Sequence, residues 1–189
     1  MTIVHQDGFY SPGIKDFRPV WVPLVPCPRE VGGLMVAVGQ HKRGYFHNLA
    51  KPTPFPIPKG VIDADSWTTI DYEPGDVLIV HPSSPHGGTP NTSDRLRVSL
   101  DTRVQSAMNP TAFAATVKSV TPDSLTVEAD DRRLGTLTLS VDPDTYIRVR
   151  DPGIREEFSG FTTYTRPGMH IVVVRDAGRA VMLRKGTAP

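Results

Sequence analysis

A single cysteine, Cys27, stands in the 189 residues of the chain. No intrachain disulfide can form, so a reducing, cytoplasmic setting is expected. No run of about 18 apolar residues occurs, which excludes a helical membrane span from the reading. The first residues lack a basic stretch followed by an apolar one, so no secretory leader is expected. Neither sign of charge dominates: 21 Lys and Arg face 20 Asp and Glu, a formal net charge of +1. That balance argues against a nucleic-acid binder driven by electrostatics, which carries a basic excess. Long helical periodicity is missing as well. Nineteen prolines and sixteen glycines are scattered along the chain. They interrupt helices and favour an all-β protein with many turns.

What is present is a succession of strand-like runs. Val20–Val25 and Gly33–Val38 are apolar and rich in β-branched residues. Asp76–Val80 follows the turn signal Pro74-Gly75, and Arg95–Leu100 alternates polar with apolar residues, the period of a half-buried strand. Lys51–Pro58 carries four prolines and reads as a loop over the surface or over a site mouth. Ser106–Pro110 reads as a boundary between a first domain, 1–107, and a second, 110–189. In the second, strands are expected near Ala112–Val120, Ser124–Ala129, Gly135–Val141, Thr145–Val149, His170–Arg175 and Ala180–Arg184. Asp151–Pro167 reads as a long loop or a short helix. This half is expected to form a small β-barrel.

The chemistry starts at His5-Gln6-Asp7. A histidine and an aspartate two residues apart share a face if the chain is extended there, and they can grip one cation. Alone the pair is equally a solvated terminus. A second stretch adds weight, running from His81 through His86 to Arg97, Ser99 and Arg103. Non-haem iron chemistry needs Fe(II) held on one face by two imidazoles and a carboxylate, with the other positions open. His86, after the buried-looking strand 76–80, is placed to complete such a set with His5 and Asp7. A chelating 2-oxo diacid also needs a grip on its far carboxylate. A guanidinium gives that in bidentate form, and a hydroxyl helps. Arg97 and Ser99 lie two apart on one predicted strand and so share a face.

Together these stretches resemble the phytanoyl-CoA dioxygenase-like family of Fe(II)/2-oxoglutarate oxygenases. The resemblance is carried by HQDGFY, VWVPLVPCPREVGGLMVAVGQHKRG and EPGDVLIVHPSSPHGGTPNTSDRLRVSLDTR, and spans roughly residues 3–105. It implies a partial double-stranded β-helix of the jelly-roll or cupin-like type. It also implies a dioxygenase that hydroxylates a small organic substrate while decarboxylating 2-oxoglutarate to succinate. By the resemblance, His5, Asp7 and His86 match the metal ligands, Arg97 the 2-oxoglutarate clamp with Ser99 beside it, and Trp21 a position near the site. The Asp7 carboxylate favours hydroxylation over halogenation, since halogenating relatives carry a small residue there. Members of the family normally place a long segment ahead of this motif, whereas four residues precede it here. A fragment, a misplaced start, or a shortened protein completed by a second copy or a partner chain is the expectation. The rival reading is a non-catalytic module acting through its C-terminal barrel.

The remaining candidates are blander. His41 reads as a turn residue with an option on substrate, His47 as solvent-facing, and His81 as lying on the face opposite to His86. His170 reads as structural, and Cys27, between two prolines, as structural too. Arg103 shares the Arg97 face and either lines the site or pairs with Asp101 or Asp94. Lys42-Arg43, Asp130-Asp131 and Glu156-Glu157 read as solvated surface.

Overall fold

Proline and glycine cut the chain into short pieces, and the structure, a computed structural model, is built almost wholly of strands. It describes residues 3–11, 14, 16–47, 57–58, 60–150 and 155–186. Most of the proline-rich loop expected over 51–58, and residues 151–154 of the irregular segment, lie outside that set. Contacts divide the chain into two units. The first holds Met1–Ser11 and Phe17–Gln105; the second holds Pro12–Asp16 and Ser106–Pro189.

The first unit opens with a one-turn helix, α1 (Asp7–Tyr10). Six strands follow: β1 (Arg18–Pro23), β2 (Leu34–Ala37), β3 (Trp67–Thr68), β4 (Leu78–Ile79), β5 (His86–Gly88) and β6 (Ser99–Val104). They form two antiparallel three-stranded sheets, ordered β4-β1-β6 and β3-β2-β5. Trp21 of β1, Cys27, Val31 and Tyr72 make the buried cluster of this unit, with Leu34 of β2 and Leu78 of β4 packed on it. This is the partial double-stranded β-helix that the sequence suggested.

Gly32 and Gly33 set the start of β2. Gly32 has φ near +80°, and a Cβ there would lie 2.7 Å from two backbone carbonyl oxygens, those of Thr89 and Pro90. Only glycine fits such a left-handed and crowded position.

One strand departs from the expected register. Arg95–Leu100 is not the strand; pairing starts at Ser99 and runs on to Val104. Its apolar residues also point the wrong way for a core. Leu96 is 84% exposed and Leu100 51% exposed, while Arg97 and Ser99 are half-buried. Alternation reports which residues share a face, not which face is inside. Here Arg97 and Ser99 take the more buried side, where Arg97 donates to Gly33 O.

The second unit matches its sequence closely. Its strands are β7 (Ala112–Val120), β8 (Ser124–Ala129), β9 (Thr136–Ser140), β10 (Tyr146–Arg148), β11 (His170–Asp176) and β12 (Arg179–Lys185). A short helix, α2 (Phe161–Tyr164), lies in the irregular segment. The sheet runs β10-β12-β11-β7-β8-β9 and closes on itself through the pair Arg179↔Ser140 between β12 and β9. Alternate residues fill the barrel: Phe113, Ala115 and Val117 from β7, Leu125 and Val127 from β8, Ile171 and Val173 from β11. Phe161 of α2 joins this core. Glu156 corrects the surface reading of Glu156-Glu157. Its carboxylate is buried, accepts the Val149 N–H at 3.0 Å and pairs with Arg150. A buried backbone donor at the end of β10 needs an acceptor, and Glu156 supplies it.

Candidate metal centre

His5 leaves an extended segment that pairs with β5. His5 N donates to His86 O at 2.9 Å, and His86 N donates to His5 O at 3.0 Å. This reciprocal pair sets two histidines 81 positions apart side by side, with ring centroids 4.4 Å from each other. The chain stays extended through Gln6 (φ −128°, ψ 119°) and turns helical at Asp7. The expected extended run through Asp7 is thus cut short by α1, but alternation holds far enough to bring Asp7 to the same place. One ligand atom each from His5, Asp7 and His86 lies within 4.8 Å of the others.

The polarity of the three groups suits a cation. His5 Nδ1 donates to Ile3 O at 2.7 Å, and His86 Nδ1 donates to Ser84 O at 3.0 Å. A carbonyl only accepts, so each neutral ring keeps its lone pair on Nε2, and both Nε2 atoms face Asp7. His5 Nε2 lies 3.6 Å from Asp7 Oδ1, and His86 Nε2 lies 3.8 Å from Asp7 Oδ2. Asp7 Oδ2 is buried and has no hydrogen-bond partner among the described residues. An orphaned carboxylate oxygen facing two imidazole lone pairs is a costly arrangement in a folded protein, and a cation resolves it.

The Asp7 carboxylate draws positive charge to the site, a proton on His5 or a cation in its place. His5 is raised above its ordinary value, first by the Asp7 carboxylate and against the effect of burial. Burial pushes the Asp7 carboxyl upward, but His5, His86 and Arg103 outweigh it and the net shift is downward. His86 is lowered, chiefly by burial, which keeps it neutral.

Gln6 holds this segment in place. Its side chain is fully buried and all its hydrogen-bonding groups are used. Nε2 donates to Gly44 O and to Ser83 O, both at 2.8 Å, and Oε1 accepts from Phe46 N at 2.8 Å. Its backbone N–H donates to His47 Nε2 at 3.0 Å. His47 is therefore not solvent-facing as expected. It is 5% exposed and stacks on Phe9, ring centroids 4.2 Å apart. Burial lowers its pKa and keeps Nε2 free to accept. Nothing in composition marked Gln6 or His47, because their partners lie about forty and eighty positions away.

The other expected residues fall as follows. Trp21 lines a cavity together with Asp7, His86, Leu34 and Asp101. Arg97 lies just before β6, half-buried, and donates to Gly33 O at 3.3 Å. Among the described residues it has no carboxylate partner. Ser99 starts β6 opposite Pro23. Neither Arg97 nor Ser99 lines the cavity that holds Asp7 and His86. Arg103 pairs with Asp101, as one reading held, and also with Asp7 at 2.7 Å. His81 is exposed and outside the triad. Its ring sits 5.1 Å from that of His41. His170 binds Asp130 at 2.8 Å in the second unit. Cys27 is fully buried.

Comparison with known proteins follows the same lines. Two hydroxylases, named 1-deoxypentalenic acid 11-beta-hydroxylase, are similar to it. The one from Streptomyces exfoliatus is 38% identical over 126 residues, covering 61% of this chain and 44% of the relative. The one from Streptomyces arenae is 37% identical over the same extent. The chain thus spans less than half the length of these curated relatives. Among solved structures, EvdO2 from Micromonospora carbonacea var. aurantiaca, complexed with 2-oxoglutarate, is 24% identical. That match covers 58% of this chain and 48% of EvdO2, with a TM-score of 0.42. Residues 2–99, about half the chain and with His5, Asp7 and His86 among them, match the phytanoyl-CoA dioxygenase (PhyH) family, and the chain belongs to that family.

Proposed function

We propose that this chain carries the iron- and cosubstrate-binding core of a 2-oxoglutarate-dependent hydroxylase acting on a small organic molecule. His5, Asp7 and His86 hold Fe(II), and Arg97, with Ser99 beside it, takes the distal carboxylate of 2-oxoglutarate. The ion supplies the oxygen-activating redox chemistry, coupled to decarboxylation of 2-oxoglutarate to succinate. The observation that carries the reading is the convergence of three ligand atoms on an orphaned, buried Asp7 oxygen. The protein's own part is positional. The Nδ1 bonds fix both imidazole tautomers. Gln6 fixes the segment that bears two of the ligands. Trp21 and Leu34 keep the cavity apolar beside them.

Room for substrate lies next to this cavity. A groove of about 350 Å³, largely apolar, shares Val36, Leu78 and Val80 with it and carries His41 and His81 on its wall. That volume falls in the range of about 300–1,000 Å³ typical of small-molecule sites. We assign the organic substrate to this groove, with His41 as a polar contact.

Anaerobic titration of the full chain with Fe(II) and 2-oxoglutarate tests the reading. A visible charge-transfer band should develop, vanish in His86→Ala, and require more 2-oxoglutarate in Arg97→Ala. Absence of the band in the unaltered chain, or its persistence in His86→Ala, rules the centre out.

A further inference from the structure

Arg103 stands on β6 opposite Pro19 of β1, on the face it shares with Asp101. Its guanidinium is forked between two carboxylates. Nη2 donates to Asp7 Oδ1 at 2.7 Å, and Nη1 donates to Asp101 Oδ1 at 2.5 Å. The Asp7 side chain is 6% exposed and that of Arg103 is 41% exposed, so the pair reaches from the rim into the buried centre.

Two consequences follow from this geometry. The first concerns the carboxylate. With Oδ1 engaged by the guanidinium, rotation of the group is blocked, and Oδ2 is left buried, unbonded and 3.8 Å from His86 Nε2. One oxygen is reserved for the cation because the other is occupied. Asp101 braces the second arm of the fork, so the guanidinium cannot swing away. The second consequence concerns the elements. The segment bearing His5 and Asp7 is tied to β5 of one sheet by the His5–His86 backbone pair. Arg103 ties it to β6 of the other sheet.

We infer that Arg103, braced by Asp101, is a positioning residue that sets Asp7 for metal binding. The inference rests on the metal-centre reading above and goes beyond it, since it assigns a role to a side chain that does not itself touch the ion. An exposed ion pair without function would contribute little and leave the centre unaffected when removed. Partners that orient metal ligands behave differently, and their loss weakens metal affinity about 10–100-fold.

Titration of the full chain with Co(II) distinguishes the two cases, because both the dissociation constant and the visible d–d spectrum are read without turnover. Arg103→Gln should weaken Co(II) binding by about tenfold or more and change the band shape. Arg103→Lys keeps the charge but loses the fork, so it should restore affinity only in part. Asp101→Asn should fall between the unaltered chain and Arg103→Gln. Far-UV circular dichroism of the metal-free proteins reports folding, and Arg103→Lys carries the comparison if Arg103→Gln does not fold. Unchanged affinity and spectrum in Arg103→Gln or Arg103→Lys, with the unaltered chain binding Co(II), overturn the inference while the metal centre stands. An unaltered chain that binds no Co(II) overturns both.

Discussion

At the residue scale, the weight of the first unit's centre falls on a side chain that does no chemistry. Gln6 separates the two proposed ligands of the opening motif, and its amide satisfies three backbone groups from two different loops. An isosteric change is therefore the sharpest probe. In Gln6→Glu the volume is kept, but two donors become acceptors facing the carbonyls of Gly44 and Ser83. We predict a loss of stability on the order of 3 kcal/mol, measured by urea denaturation, because a buried charge is left facing acceptors. Weaker Co(II) binding should accompany it. That His5, Asp7 and His86 come together was legible in the sequence, because their types and spacing are those that coordination chemistry asks for. Gln6, His47 and Arg103 were not. Their roles depend on loops and strands that meet only in the folded chain, and a lone glutamine or histidine carries no local signature of being buried.

At the scale of elements, the barrel shows how far alternation reaches. β7 and β8 fall at Ala112–Val120 and Ser124–Ala129, as read from the sequence, because every second residue is apolar and the ends are marked by turns. The segment leading into β6 shows where it stops, since Arg97 and Ser99 are half-buried while Leu96 and Leu100 are exposed. Where β12 meets the end of β9, an ion pair supports the closure of the barrel. Asp142 accepts both Nε and Nη2 of Arg179, the first residue of β12. That bidentate pair, with the N–H of Asp144, holds the Asp142 carboxyl at about 2 rather than 3.8. A carboxyl lowered on folding stabilises the fold above its unfolded value, and the contribution fades as pH falls from 3.8 towards 2. Carboxyl NMR titration should place the Asp142 midpoint near 2. In Arg179→Gln the midpoint should move upward. A midpoint unmoved by that substitution would mean that the guanidinium is not the cause.

At the scale of the whole molecule, the first unit presents an apolar outer sheet face. Val20 pairs with Ile79 and Val22 with Leu100 across β4-β1-β6, so these residues lie on one face. Ile79 is 58% exposed, Leu100 51% and Val104 49%. Exposed aliphatic residues gathered on one face in this way promote association. The double substitution Leu100→Lys with Val104→Lys should lower light scattering on concentration while leaving Co(II) binding intact, as neither position lines the cavity of Asp7 and His86 or the groove beside it. Equal scattering before and after would show that the face takes no part in association. Among the described residues no helix is long and apolar enough to cross a membrane.

The backbone exchange between His5 and His86 also has a thermodynamic side. An ion held by these residues and Asp7, as proposed, would work as a clasp on a loop of about eighty residues, and closing a loop of that length would remove several kcal/mol of freedom from the unfolded chain by the same logic as a crosslink. Ligation energy and folding energy of the first unit would then become one quantity, and a chelator would in effect be a denaturant for it. Amide deuterium exchange at His5 and His86 would then slow together as the clasp is loaded.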